Sequence, residues 1–194
     1  MPDVSFFFDP VCPWTWRASR WLTAVAEARG LDVEWRPLSL WVINDGPDEE
    51  HGDELEVSRR ALRLVESLGR AGRHAEVAAF YTAVGELAHE GGFAFDDDLL
   101  VQAVRGAGLA ADGGALDDPG LDAGVKASTE EALAAAGPGV GSPVMTVPGA
   151  ARGLHGPVLG AVPDKPEALA LWAAVEPLFG LDDFFEIKRG RTTS

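Results

Sequence analysis

One stretch near the start decides the fold of this 194-residue chain: Val4-Ser5-Phe6-Phe7-Phe8-Asp9-Pro10-Val11-Cys12-Pro13-Trp14-Thr15-Trp16. Its first part, Val4 to Phe8, is short, bulky and apolar and predicts a buried strand that ends at Asp9. Pro13 suits the first turn of a helix, because no backbone donor is needed there. Cys12 therefore lies where unpaired N–H groups and the helix dipole favour an anion.

Cys12 is the only cysteine of the chain. Cysteines at helix N-termini in such motifs titrate at roughly 3.5 to 7.5, below the ~8.5 of an unperturbed thiol. We expect Cys12 to be a thiolate nucleophile, with a buried structural cysteine as the alternative. A single cysteine forms no internal disulfide, which is typical of a reducing compartment.

The composition indicates one folding unit with a substantial core, since 46% of the residues are hydrophobic and six are tryptophan. The net charge of −15 argues against nucleic acid and against an anionic membrane as partners. No apolar stretch approaches the roughly 20 residues that span a bilayer, and no signal-peptide pattern is present. We therefore expect a cytoplasmic protein.

The pattern that follows Cys12 predicts a helix from Pro13 to Arg29, ended by Gly30, and then an alternating strand from Leu31 to Leu38 parallel to the first. The acidic, turn-rich segment from Asn44 to Glu54 predicts an exposed loop. A lid over Cys12, made by residues 45–56, is the alternative to a solvated loop.

The middle of the chain carries only helical signals, at 55–68, 75–89, 97–107 and 118–135. A Gly- and Pro-rich break then leads to predicted strands at 144–147 and 157–161 and a helix at 165–179, and residues 184–187 are predicted to pack as a tail. We predict a first domain made of residues 1–44 and 137–194, with an all-helical subdomain of residues 45–136 inserted in it.

Five runs in the sequence carry a resemblance to a known family. They are Asp9-Pro10-Val11-Cys12-Pro13-Trp14, Phe80-Tyr81-Thr82-Ala83-Val84-Gly85, Gly141-Ser142-Pro143, Gly156-Pro157-Val158-Leu159 and Phe184-Phe185-Glu186-Ile187-Lys188-Arg189. With these runs the chain resembles the mycothiol-dependent reductases of actinobacteria, some of which carry the name nitroreductase. The resemblance covers nearly the whole chain and implies an α/β, thioredoxin-like fold of the DsbA type.

The resemblance implies a thiol-disulfide oxidoreductase whose co-substrate is mycothiol or another low-molecular-weight thiol. It implies catalytic positions at Cys12, Pro13, Trp14, Thr15 and Pro143. Pro143 is expected in the cis form, opposite Cys12.

The polar and aromatic residues expected near Cys12 suggest a small aromatic or disulfide substrate, and those assigned to its binding are Trp16, Ser142, Tyr81 and His89. Trp14 and Trp16 flank the sulfur and are expected to wall a flat pocket, although at least one of them is expected in the core. Tyr81 and His89 lie in the helical insertion. Each is either a hydrogen-bond donor to the substrate or a packing residue.

Thr15 is the departure from the family pattern, which usually reads Cys-Pro-Trp-Cys. In a dithiol reductase the second cysteine attacks the mixed disulfide formed on the first, and threonine cannot perform that step. We therefore expect Cys12 to act as a monothiol that a second small thiol or a partner enzyme resolves. The Thr15 hydroxyl either donates a hydrogen bond to the Cys12 sulfur or only fills the first helical turn.

Two other functions remain open at this point. The kappa-class glutathione transferases and the hydroxychromene-carboxylate isomerases resemble this fold, and an enzyme of that kind would use a thiol cofactor on an aromatic electrophile without net redox change. A non-catalytic binding module with the thioredoxin fold is the second alternative. The sequence leaves monomer and homodimer equally open.

Several cofactor classes are not expected. One cysteine and four scattered histidines provide no ligand pair at metal-binding spacing. The glycine-rich run at 137–141 precedes a strand and lacks the Lys-Ser/Thr of a phosphate loop, and no Gly-x-Gly-x-x-Gly follows the first strand. We therefore expect no metal and neither NAD nor flavin.

Overall fold

The computed structural model describes residues 1–46 and 52–190. These residues contain four strands and seven α-helices. The strands are β1 (Val4–Phe8), β2 (Val33–Pro37), β3 (Val144–Thr146) and β4 (Leu154–His155). The α-helices are α1 (Pro13–Arg29), α2 (Leu40–Ile43), α3 (Gly52–Arg70), α4 (His74–Gly85), α5 (Asp97–Gly106), α6 (Asp122–Ala136) and α7 (Lys165–Val175). A π-helical turn at Glu86–Glu90 extends α4, and 3₁₀ turns lie at Gly113–Asp117, Pro119–Leu121 and Glu176–Gly180.

The strands form one sheet in the order β2-β1-β3-β4. β1 and β2 are parallel, as predicted, with Val4 opposite Val33, whereas β3 runs antiparallel to β1 and β4 antiparallel to β3. The helices α3 to α6 all lie between β2 and β3 in the chain. The division into an inserted subdomain and a surrounding domain stays a prediction.

The end of β1 is anchored in an aromatic cluster. Phe8 stacks on Tyr81 of α4 at a ring-centroid distance of 3.9 Å and meets Trp35 of β2 edge-on at 6.4 Å. All three rings are buried, and each contributes about 1.5 to 3 kcal/mol by leaving water. This packing fixes the point at which the chain leaves the sheet, four residues before Cys12.

α1 and the end of α4 approach closely at Gly85. A Cβ atom placed on Gly85 would lie 2.1 Å from Cε3 of Trp16, so only glycine leaves room for this indole ring. Trp16 is thereby buried between the two helices, and the π-helical turn begins directly after the contact. π-Helical turns inside α-helices are rare and occur often at functional sites.

Three sequence predictions about the chain beyond α3 are corrected. The fourth strand is Leu154–His155, not residues 157–161, because β3 has only three residues and offers two of them to this partner. The predicted helix at 75–89 ends as an α-helix at Gly85. The tail does not pack as predicted, since Phe185 and Ile187 are 75% and 83% exposed.

The segment after β2 also differs from expectation. Ser39 caps the short helix α2, which the sequence did not predict, by accepting a hydrogen bond from the amide of Val42. The predicted loop at 44–54 is shorter than expected, because α3 begins at Gly52. Residues 47–51, and with them the middle of the alternative lid, fall outside the described residues. No helix in the described ranges has the length and apolar character needed to cross a bilayer.

Candidate functional site

Cys12 lies at the N-terminus of α1, as the sequence predicts. Its backbone is extended, with φ −77° and ψ 113°, and its carbonyl accepts the first helical hydrogen bond from the amide of Trp16 at 3.0 Å. Pro13 occupies the first helical position, where the absent N–H costs nothing. Cys12 is 8% exposed, so only a small part of it is open to the surroundings.

The turn between β1 and α1 is held by the buried carboxyl of Asp9. It accepts hydrogen bonds from the amides of Val11 at 3.1 Å and Leu40 at 2.7 Å, and a further short one from the Ser58 hydroxyl. These contacts tie β1, α2 and α3 to the turn that carries Cys12. Burial raises the pKa of Asp9 in spite of the three donors, which act to lower it.

The loop before β3 faces Cys12. The Ser142–Pro143 peptide bond is cis, as predicted, and the Ser142 carbonyl lies 3.8 Å from the Cys12 sulfur, to which the thiol donates. The Ser142 hydroxyl lies 2.7 Å from the Thr15 hydroxyl and accepts a hydrogen bond from the amide of Asp9 at 3.0 Å. The structure thus brings together four of the predicted site residues, namely Cys12, Thr15, Ser142 and Pro143.

A cavity of about 490 Å³ opens beside Cys12 and Pro13. Its apolar wall includes Leu40, Phe93 and Phe95, and its polar groups include Glu54 and His89. Cavities of this size with apolar walls and few polar groups are typical of sites for small organic molecules.

Of these lining residues, Phe93 and Phe95 were missed by the sequence analysis. They lie in the joint between the π-helical turn and α5, and Phe93 is 49% exposed although it is large and apolar. A signal was present, because two phenylalanines directly after Gly91 and Gly92 are unusual in a surface joint. They provide the aromatic wall that the sequence analysis assigned to tryptophan.

His89 reaches the cavity from the π-helical turn. Its Nε2 lies 2.9 Å from the carbonyl oxygen of Pro10, and because a carbonyl only accepts, Nε2 carries the proton. Burial lowers the pKa of His89, which keeps the ring neutral near pH 7 and leaves Nδ1 as an acceptor. His89 is expected either to donate to the substrate or to pack; in this tautomer its one ring proton is used by Pro10, and a role toward the substrate stays a prediction.

The other aromatic residues predicted at the site lie behind it. Trp16 is 3% exposed and packs between Arg20, whose guanidinium lies 4.1 Å above its ring, and His89, whose ring is 6.0 Å away. Tyr81 is 1% exposed, and burial raises the pKa of its hydroxyl, so it stays neutral. Trp14 is half-buried beneath Arg17, at 5.0 Å, and is not among the cavity-lining residues. Trp16 and Tyr81 support the site from the core.

The pKa of Cys12 differs in direction from the sequence expectation. Burial raises it, and the negative charge on Asp9 raises it further. Hydrogen bonds from the Thr15 hydroxyl and from the amides of Thr15 and Trp14 act in the opposite sense, as a helix N-terminus should. The net direction is upward, because desolvation of the sulfur exceeds these contributions.

No cluster of three or more histidine, cysteine, aspartate or glutamate side chains suited to a metal ion occurs within residues 1–46 and 52–190. The chemistry that the described groups offer is that of a sulfur nucleophile beside an apolar cavity.

Comparisons with known proteins agree with this geometry. A family model described as Rv2466c-like, mycothiol-dependent nitroreductase Rv2466c, matches residues 11–189. The uncharacterized protein Rv2286c of Mycobacterium tuberculosis is 32% identical over 196 residues, which cover 99% of this chain and 84% of that protein.

Two solved structures share the fold. A 2-hydroxychromene-2-carboxylate isomerase superposes with a TM-score of 0.63 at 18% identity, covering 90% of this chain and 95% of the other. A putative protein-disulfide isomerase from Pseudomonas syringae gives a TM-score of 0.57 at 19% identity, covering 86% and 90%. The predicted thioredoxin-like fold of the DsbA type is confirmed. The chain belongs to the Rv2466c-like family and is, with that family, a thiol-dependent oxidoreductase.

Proposed function

We propose that the protein is a monothiol disulfide reductase of the cytoplasm, with Cys12 as its nucleophile and mycothiol or a similar small thiol as its reductant. The observation that carries the proposal is the single sulfur of Cys12, which lies at the N-terminus of α1, opposite the Ser142–Pro143 peptide and at the edge of the cavity. Thr15 stands where the resolving cysteine of a dithiol reductase would stand.

The reaction has two exchange steps. The Cys12 thiolate attacks a substrate disulfide, which forms a mixed disulfide on Cys12 and releases one substrate thiolate. A small thiol then attacks that mixed disulfide, regenerates the Cys12 thiolate and leaves as a disulfide. This exchange joins one half of the substrate to the small thiol. A second round on that disulfide, with a second small thiol, completes the two-electron reduction of the substrate, and the two small thiols, which end as their own disulfide, supply the electrons. The rate of the first step depends on the ionised fraction of Cys12, and that of the second on the ionised fraction of the small thiol and on the pKa of Cys12 as the leaving group.

The cavity indicates which disulfides fit. Phe93 and Phe95 offer flat apolar faces beside the sulfur, and His89 offers an acceptor nitrogen to a substrate hydroxyl or amide. A mixed disulfide between a hydroxyl-rich small thiol and an aromatic thiol satisfies both. The Ser142 carbonyl lies 3.8 Å from the same sulfur.

A transferase or isomerase is the second candidate function, and one observation favours it. The chain has a single cysteine, and in this alternative Cys12 and the hydroxyls of Thr15 and Ser142 orient a thiol cofactor without forming a disulfide. The aromatic wall of the cavity then faces an aromatic electrophile.

Intact-mass spectrometry distinguishes the two functions. The protein is treated with a mixed disulfide of mycothiol, with a Cys12→Ser variant as the matched control. We expect one mycothiol adduct on the wild type, none on the variant, and release of the adduct by added mycothiol. A wild-type protein that forms no adduct, yet accelerates thiol addition to an aromatic electrophile, would overturn the reductase proposal.

A further inference from the structure

Thr15 and Ser142 place two buried hydroxyl groups behind the Cys12 sulfur. Their side-chain oxygens are 2.7 Å apart, and the two residues are 0% and 7% exposed. A buried hydroxyl without a partner is unfavourable, so each proton of this pair is expected to have an acceptor. The positions of those protons follow from the neighbouring groups.

The amide of Asp9 fixes the direction of the hydrogen bonds. A backbone N–H only donates, so at 3.0 Å the Ser142 oxygen is its acceptor. If Thr15 also donated to that oxygen, the Ser142 proton would have no acceptor among the contacts described for it. Ser142 therefore donates to Thr15. The Thr15 proton is then available to an acceptor other than Ser142. The sulfur of Cys12, at the start of the same helical turn, is the group whose ionised form this hydroxyl favours.

We propose that Thr15 is a positioning residue which, oriented by Ser142, donates a hydrogen bond to the Cys12 thiolate and keeps this single sulfur reactive. The inference rests on the proposed function in that it gives Thr15 a task in the attack by Cys12. When Cys12 carries its proton, the thiol donates to the Ser142 carbonyl instead, at 3.8 Å. Ser142 thus accepts a hydrogen bond from the thiol through its carbonyl, and it orients the Thr15 hydroxyl toward the thiolate through its own hydroxyl.

The groups around the sulfur show why this hydrogen bond matters for the ionisation of Cys12. Asp9, at the end of β1, opposes ionisation of Cys12. Glu54 of α3 lies across the cavity with the same sign of charge, whereas His89 is kept neutral by burial, which lowers its pKa. Tyr81 of α4 stays neutral because burial raises its pKa. The Thr15 hydroxyl is therefore the main side-chain contribution that lowers the pKa of Cys12.

The test is the pH dependence of Cys12 alkylation by iodoacetamide in the full-length protein. Thr15→Val keeps the shape of the side chain and removes the hydroxyl, and Thr15→Ser keeps the hydroxyl. A hydrogen bond to a charged group corresponds to a shift of about one to two pKa units. We expect Thr15→Val to raise the pKa of Cys12 by this amount and to slow alkylation at neutral pH about tenfold or more. Thr15→Ser should stay near the wild type.

Thr23→Val is the matched control, because Thr23 lies on the same helix and donates to the Ser19 carbonyl at 2.9 Å, away from the sulfur. It should leave the pKa of Cys12 unchanged. If Thr15→Val does not fold, Thr15→Ala is used as the variant that lacks the hydroxyl and is compared with Thr15→Ser.

An unchanged pKa in the folded variant that lacks the hydroxyl overturns the inference. An equal shift in Thr15→Ser also overturns it, because packing and not the hydroxyl would then be responsible. Turnover of a mycothiol mixed disulfide by the wild type is measured in parallel. If Thr15→Val leaves the pKa of Cys12 unchanged while the wild type turns over the mixed disulfide, only the role of Thr15 is refuted. If Thr15→Val raises that pKa as expected but the wild type shows no turnover, only the reductase proposal is refuted.

Discussion

The contact between Gly85 and Trp16 gives a sharp stability prediction, because Gly85→Ala adds one methyl group where the structure leaves no room. The new Cβ would lie 2.1 Å from Cε3 of the ring, and non-bonded carbon atoms prefer separations of about 3.5 to 4 Å. The ring or α4 must therefore move by about 1 Å or more. Overpacking of this kind costs about 1 to 3 kcal/mol or more, and the helical preference of alanine returns at most about 1 kcal/mol.

Thermal unfolding measures this cost directly. For a domain of this size, about 2 kcal/mol lowers Tm by roughly 4 to 8 °C. Gly69→Ala is the matched control, because Gly69 also lies in a helix and its added Cβ would meet nothing within 4 Å. That control should raise Tm by about 2 to 4 °C. A Gly85→Ala protein as stable as the wild type, beside a stabilised Gly69→Ala, would refute the packing argument.

Three further predictions concern charge and binding. Asp122→Asn should lower the free energy of unfolding at pH 7 by about 2 to 3 kcal/mol, since it leaves the 7%-exposed Arg63 without its carboxylate. The control is Glu130→Gln, which removes an exposed ion pair and should change the free energy of unfolding by under about 0.5 kcal/mol. Arg63 lowers the pKa of Asp122, so this difference should persist above about pH 4 and shrink in urea titrations as pH falls further. Burial lowers the pKa of His89, so urea titrations should show wild-type stability falling as pH drops through ~6.5, by more than in His89→Gln. Phe95→Ala should raise KM for an aromatic disulfide roughly three- to tenfold while iodoacetamide alkylation of Cys12 keeps its rate.

The N-terminal half of the fold is predictable because its signals are local. β1, the Pro13 start of α1 and its Gly30 end each follow from neighbouring residues, and the structure places Gly30 at φ 70° as that end requires. β4 is different, since its two residues have no strand pattern of their own and become a strand only through pairing with β3. The π-helical turn is equally invisible, because Glu86–Glu90 has the composition of an ordinary helix.

The site divides in the same way. Cys12 and the cis form of Pro143 follow from motifs of a few residues, the second only through the family resemblance. The cavity does not, because three segments far from Cys12 in the sequence also form its wall, with Leu40 after β2, Glu54 on α3 and Phe95 before α5. No periodicity in the sequence indicates that these segments meet.

The protonation of Cys12 shows why a motif alone does not decide the chemistry. The N-terminus of α1 provides what the sequence predicts, amide donors and a hydroxyl that favour the thiolate. The sequence does not reveal that the sulfur is almost fully buried, nor that the carboxyl of Asp9 is locked near it by Leu40 and Ser58. Desolvation and a like charge both favour the neutral thiol, and together they outweigh the helix. In such surroundings each hydrogen bond to sulfur carries more weight than in water, and Thr15 provides the only one from a side chain among those described. On the proposal that Thr15 donates to the thiolate, the residue that departs from the family pattern is the one on which the reactivity of the remaining cysteine depends.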